Sequence, residues 1–291
     1  MTLSWKQEVL QGFHDLHLPF RVLQGAYSSV SPVSDISTDA NAFQKDLLYN
    51  IVFFEHAGLA VNLVDIVQAG LTGPEALLGL QQDYALRGIQ LLHLWEDVWL
   101  CRPAQVLGRI RALLGLNERL HGRKLKVEQV DRKVAGAFME QHHLMGAAGS
   151  KYRLALVQEG IPVAVACFGP LRKMRRGRPG YRSAELVRFA SRSGYSVAGG
   201  FTRLLKHFIR EHHPDDVMTY ADRDWSSGAA YRKSGFVLTG VTSPAWAWLD
   251  GGMKRHYREQ LPLGTEKVNA EPIRVFNTGN LKYILYLDKL C

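Results

Sequence analysis

Apolar positions fall into short clusters with two spacings. Residues 51–54 and 59–66 are apolar runs of strand length on either side of Glu55-His56-Ala57-Gly58, a turn-like tetrapeptide. Within residues 75–86, Leu77, Leu78, Leu80 and Ala85 can form one helical face, and Arg87-Gly88 closes the segment. Residues 89–95 suit a buried strand. Pro103 opens a helix through Leu114, because its fixed φ fits a first helical position, and Gly115 stops it. Strand, turn, strand, helix, strand, helix predicts a small α/β unit. Ahead of it, residues 1–50 show no strong period, and residues 28–37 read as a Ser/Pro/Asp loop.

A basic connector at residues 121–126 follows, and a domain boundary is expected there, dividing the chain into 1–120 and 121–291. Beyond it the pattern predicts a helix over 129–142 and strands over 152–157 and 163–168, joined at Glu159-Gly160 as a hairpin. A Gly/Arg-rich loop spans 171–182. A strand at 184–190, a helix at 201–211, a strand at 217–221, a short helix at 226–233 ended by Gly235 and a strand at 236–241 complete the order. The expected class is α/β.

Charge changes this picture. Residues 1–120 hold 8 Lys+Arg against 12 Asp+Glu, whereas residues 121–291 hold 28 against 15. Segregated basicity is the electrostatic footprint of a polyanion partner, and DNA is the expected one. The density peaks at residues 171–192, where Arg172, Lys173, Arg175, Arg176, Arg178, Arg182, Arg188 and Arg192 face Glu185 alone. Arg172, Arg175, Arg176, Arg178 and Arg182 are the candidate nucleic-acid contacts, since guanidinium forks onto phosphate. Trp225, Trp246 and Trp248 could stack on an extruded base or simply pack. Three widely spaced cysteines fit neither a disulfide framework nor a metal knuckle. Without a signal-like start or a membrane-length apolar run, the expectation is a cytoplasmic protein of a bacterial host cell, with no membrane partner and no resident metal.

The run Ala184-Glu-Leu-Val-Arg-Phe-Ala190, then Gly199-Gly200, a helix, a strand at 217–221 and Ala230-Tyr231-Arg-Lys-Ser-Gly235-Phe236 resembles the GCN5-related N-acetyltransferase (GNAT) core. The resemblance implies an α+β domain with a mixed, splayed central sheet. It also implies an acetyl-CoA pyrophosphate cradled by backbone amides at a helix start. Cofactor contacts would fall at Val187 and Phe189 on the central strand and at Ser196, Gly199 and Gly200 on the loop. Ser196 and Phe201 stand where Arg or Gln and Gly or Ala are usual. More broadly, Arg87 to Trp99, His143-Leu-Met-Gly146, Tyr220-Ala-Asp-Arg-Asp-Trp-Ser226 and Ile273 to Asn280 resemble a phage-encoded, homing-endonuclease-like family. Its members join a Vsr-like PD-(D/E)xK nuclease domain to a GNAT-like domain. Tyr220-Ala221-Asp222 and the Tyr231 to Phe236 segment also resemble the Mom family of DNA-modification proteins.

The N-terminal unit is accordingly expected to be a degenerate restriction-endonuclease-like domain. Asn62 stands where an acidic metal ligand would be, and no Lys lies between Lys45 and Lys124. The resemblance implies catalytic roles in the second unit: Tyr231 as acid to the thiolate, Asp222 as a general base, His143 as a further site residue. The leading expectation is a DNA-binding N-acyltransferase that uses acetyl-CoA or another acyl donor to modify a base or base-attached amine. The rivals are a metal-dependent homing-type endonuclease and a catalytically inactive DNA-binding relic.

Overall fold

The computed structural model describes residues 3–24, 50–67, 69–175, 178–257, 267–268 and 271–287. The chain forms two units. The first comprises Met1–Cys101, Arg223–Trp225 and Pro244–Thr278; the second comprises Arg102–Asp222, Ser226–Ser243 and Gly279–Cys291. The division therefore falls at Cys101, not near residue 120, and two later stretches return to the first unit. The expected loop at residues 28–37 lies outside the described residues. No helix among the described residues is long and apolar enough to cross a membrane.

In the first unit, helix α1 (Trp5–His14) starts from a capping box of Ser4 and Gln7. Strands β1 (Arg21–Gln24), β2 (Asn50–Phe54), β3 (Leu59–Val64) and β4 (Gln90–Trp95) form one sheet in that order. Every residue of β3 is buried. Helix α2 (Ala69–Leu86) breaks at Gly73, whose φ of 64° lies in the left-handed region, and restarts at Pro74. It carries the crossover that makes β3 and β4 parallel. Helix α3 (Glu96–Cys101) follows. A second small sheet is built from the returning stretch: β14 (Trp246–Leu249) pairs with β15 (Arg255–His256) and with β18 (Arg274–Phe276). Strands β16 (Lys267–Val268) and β17 (Glu271–Pro272) pair separately. Ala247, Leu249, Val275 and Phe276 join Ile51, Leu77, Leu91 and Trp95 in one core, which is why 244–278 belongs to this unit.

The second unit begins with α4 (Pro103–Leu113). Then come β5 (Glu118–His121), β6 (Lys126–Gln129), α5 (Arg132–His142), β7 (Tyr152–Gln158) and β8 (Ile161–Phe168). Next are β9 (Arg172–Lys173), β10 (Arg182–Ser191), β11 (Tyr195–Ala198), α6 (Gly200–His212) and β12 (Asp216–Asp222). Last come α7 (Ala229–Lys233), β13 (Val237–Val241) and β19 (Asn280–Tyr286). The main sheet runs β13-β19-β12-β10-β8-β7-β6 and is antiparallel except between β10 and β12.

Residues 102–120 belong here because β5 pairs with β11 and Gln105 binds the Glu140 carbonyl of α5. The two faces of the sheet are covered differently. Leu204, Leu205 and Phe208 of α6 pack on Leu154, Leu156, Ala166, Phe168, Ala184 and Leu186. Ala135, Phe138 and Met139 of α5 pack on the alternate residues Ala155, Val157, Val165 and Cys167. The mixed sheet, with a central strand, a Gly-Gly loop, a helix and a diverging next strand, follows the order that the GNAT resemblance implies.

Candidate active site at the split between β10 and β12

The parallel ladder between β10 and β12 has three rungs, Ser183–Asp216, Ala184–Val217 and Glu185–Met218. Both strands continue, β10 paired with β8 to Ser191 and β12 paired with β19 to Asp222. The sheet therefore opens into a wedge after Glu185. At its vertex the Thr219 hydroxyl donates to the Leu186 carbonyl at 3.0 Å. A bulge between Leu186 and Arg188 shifts the register against β8. Bulges re-aim side chains. Here Phe189 meets Phe201 of α6 at 5.2 Å between rings, while Arg188 acts on His143 at the end of α5. Val187, between the two register positions, is half-buried.

Tyr231 reaches this vertex from α7. Its phenol hydrogen-bonds Thr219, and its ring lies among Phe201, Phe236 and Tyr283, with centroids 5.7, 5.6 and 5.6 Å away. Burial pushes the phenol's pKa up, against the opposing pull of Thr219, Arg109 and Arg188. The group stays protonated at neutral pH and can act as an acid.

The start of α6 adjoins the wedge. Gly199 caps the helix with φ 70° and ψ 3°, a conformation that costs a side-chain-bearing residue about 1–2 kcal/mol. A Cβ on Gly200 would lie 2.7 Å from Val197 Cγ1 and 3.1 Å from Leu156 Cδ1, so only glycine fits there. Phe201 turns its ring inward among Phe189, Tyr231 and Phe236. Ser196 sits in β11 in register with Arg119. The first N–H groups of a helix lack helical partners and carry the positive end of its dipole, so this start suits a pyrophosphate.

His143 ends α5. Its Nδ1 accepts the Met145 N–H at 3.0 Å, which leaves the ring proton on Nε2. Burial first, then Arg188, Arg109 and Arg102, lower its pKa to about 3. The ring is therefore a neutral hydrogen-bond donor at physiological pH. His93 of the first unit is likewise held down by burial. A histidine that must stay neutral in the fold protonates more readily once unfolded. Stability from these two groups is thus present above the ordinary histidine pKa of about 6.5 and declines as pH falls below it, for His143 down through about 3. Thermal unfolding from pH 8 to 4 should show a falling melting temperature, and His143→Gln should flatten the acid arm.

Asp222 is the last residue of β12, in register with Asn280 and half-buried. Sequence reasoning missed Arg109 and Thr219 and counted Arg188 as part of the basic loop. The one legible signal was Arg188 itself, a lone cation inside an apolar strand run.

The structure sorts the arginine-rich stretch into different environments. Arg172 and Arg175 are exposed, with Arg172 paired to Ser183 through β9. Arg178 is ion-paired with Asp215 at 2.6 Å, and Arg182 donates to the His213 carbonyl. Arg188 is turned inward. Arg176 lies outside the described residues.

In the first unit, Asn62 is buried beside His93, Nδ2 to Nδ1 3.2 Å, while His93 Nε2 meets the Leu77 carbonyl at 3.1 Å. Asp65 accepts from Trp5 Nε1 at 2.9 Å and pairs with Lys6; Glu55 pairs with Arg21 at 2.7 Å. Asp97 holds Arg255, and Asp224 holds Trp95 and Thr278. The carboxylates near the expected nuclease strand are thus engaged in structural bonds. Among the described residues no three His, Cys, Asp or Glu side chains gather as metal ligands. Trp225 is buried, and Trp246 is partly exposed with Arg274 stacked 4.7 Å from its centroid.

No family model matches the chain, and neither does any curated protein. Solved structures do resemble part of it. The ribosomal-protein-S18-alanine N-acetyltransferase from Escherichia coli is 13% identical, with 57% of this chain and 97% of that one covered at a TM-score of 0.37. A GNAT family acetyltransferase from Elizabethkingia anophelis, solved with acetyl-CoA bound, is 9% identical over 56% of this chain and 98% of that one, at 0.34. A chain of the NatC complex bound to Gag peptide and CoA is 13% identical, covers 56% and 99%, and scores 0.34.

Proposed function

We propose that the second unit is an N-acyltransferase that takes its acyl group from acetyl-CoA or a related thioester and delivers it to an amine on DNA. The observation that carries the transfer reading is the placement of a protonated Tyr231 at the vertex of the wedge, beside a helix start built for an anion. Gly199 and Gly200 would hold the pyrophosphate, and the β10 edge at Val187 and Phe189 would line the pantetheine arm. Bound there, an acyl-CoA supplies an activated carbonyl carbon and a thiolate leaving group. Tyr231 gives its proton to the sulfur as the carbon–sulfur bond breaks. Asp222 takes the proton that the amine loses as the carbon–nitrogen bond forms, and through solvent that proton restores Tyr231. His143 donates its Nε2 proton as a hydrogen bond and orients the reacting groups. Direct attack needs positioning more than a covalent enzyme intermediate.

The DNA acceptor rests on charge. The excess of Lys and Arg over residues 121–291 and the exposed Arg172 and Arg175, with Arg178 beside them, favour a phosphate backbone over a neutral substrate. It agrees with the resemblance to phage DNA-modification proteins. Mass spectrometry of nucleosides from DNA incubated with protein and acetyl-CoA should show an acyl adduct. The joint variant Arg172→Ala, Arg175→Ala, Arg178→Ala should bind two unrelated duplexes more weakly, with the log–log salt slope smaller by about 0.9 for each phosphate no longer neutralised. Unmodified DNA together with unchanged binding would remove DNA as the acceptor.

A further inference from the structure

A cavity of about 220 Å³ lies under α5 on the face of the sheet opposite α6. Arg132 and Met139 of α5, Gly149 and Ser150 of the following loop, Arg153 of β7 and Cys167 of β8 line it. Three of the side chains at this level form a row across the strands. Arg153 is the register partner of Cys167 on one side, and Arg188 is its partner on the other. Neighbouring strands lie about 4.8 Å apart, so two guanidinium groups flank one thiol within the width of three strands.

The thiol does not balance them. Burial pushes its pKa up against the pull of the Ser150 hydroxyl, Arg153 and Arg188, so it stays uncharged. Arg153 gives one Nη1 bond, to the Lys151 carbonyl at 3.0 Å. Its Nε is sealed from solvent with no hydrogen-bond partner among the described residues. A guanidinium that lines a cavity of this size and gives a single hydrogen bond among the described residues has further N–H donors for an acceptor oxygen. Arg132, at the first position of α5, adds a second guanidinium to the wall.

We propose that this cavity binds an oxyanion, phosphate or carboxylate, through Arg153 and Arg132, with Arg188 completing the positive row toward the wedge. Binding of the anion stands on the cavity and its guanidinium groups alone. Its use rests on the transferase reading: on the α5 face, across the sheet from the α6 start, the anion belongs to the acceptor rather than to the acyl donor. Where the acceptor is DNA, that anion is a phosphodiester.

Calorimetric titration of the full chain with inorganic phosphate and, separately, with sodium acetate tests this. At least one anion should bind, and Arg153→Met and Arg132→Met should each weaken it by about tenfold or more, as loss of a charged hydrogen bond does. Arg172→Met, in the exposed loop, should leave it unchanged. Should Arg153→Met fail to fold, Arg132→Met at the exposed helix start carries the comparison. A short single-stranded oligodeoxynucleotide that competes with phosphate would assign the site to a nucleic-acid backbone; failure to compete would assign it to a small acceptor. Absence of binding by either anion to the wild type, or equal weakening by Arg172→Met, would overturn the proposal. Acetyl-CoA titrated into the same samples keeps the two ideas apart: its failure to bind strikes the transferase reading and leaves the anion site standing.

Discussion

Tyr231→Phe should lower the turnover number for acyl transfer by about 10²–10⁴-fold, the usual worth of a positioned general acid, and leave the affinity for acetyl-CoA nearly unchanged. The ring contacts with Phe201, Phe236 and Tyr283 are apolar and survive the substitution. Only the hydroxyl at the vertex is removed, along with its bond to Thr219. Because burial raises the phenol's pKa, the wild-type rate should hold through neutral pH and fall only above the ordinary phenol range of about 10. The Phe variant should lack that alkaline limb. Thiol release from acetyl-CoA in the presence of acceptor, followed from pH 6 to 11, measures both effects. A Phe variant that turns over at the wild-type rate removes Tyr231 from the chemistry.

Gly228→Ala should be a strongly damaging small substitution in the second unit. Gly228 caps α7 with φ 72°, and a Cβ there would overlap the hydroxyl and ring of Tyr283, which is fully buried. That hydroxyl cannot move freely, because it accepts from Arg232 Nη1 at 2.6 Å and donates to the Ser227 carbonyl at 3.3 Å. Left-handed backbone for alanine and overpacking together cost about 2–5 kcal/mol. In a unit of this size that lowers the melting temperature by on the order of 10 °C. Gly79→Ala, on α2 with open space around the new methyl, is the control. It should stabilise by about 0.5–1 kcal/mol, the helix preference of alanine over glycine. Thermal unfolding followed by circular dichroism separates the two.

The sequence disclosed the second unit better than the first. The hairpin at Glu159-Gly160 was legible because both residues adopt positive φ, 51° and 77°, in a two-residue turn. The helix from Pro103 and its stop at Gly115, with φ 74°, followed local rules in the same way. Helix α1 was missed although Ser4 and Gln7 carry its capping box, because ten residues with scattered apolar positions hide the period. Strand β19 was missed as well. It lies between β12 and β13, a non-local pairing with no local signature.

The domain division failed for a related reason. The basic connector at 121–126 looks like a linker, yet β5 and β6 flank it inside one unit, while 244–278 builds core for the other. The Gly-Gly start of α6 was legible as a local feature, and Tyr231 was singled out through the resemblance. Arg109, Thr219 and the row Arg153–Cys167–Arg188 were not legible, because they are assembled by cross-strand register and helix packing. The arginine loop was legible as charge, but not the capture of Arg178 by Asp215.

Calorimetric titration of acetyl-CoA into the wild-type protein tests the central claim most directly. The account predicts saturable binding at one site per chain. It also predicts a matching rise in melting temperature, worth about 2.7 kcal/mol of stability at a hundredfold excess over the dissociation constant. No heat and no thermal shift at millimolar acetyl-CoA would contradict it.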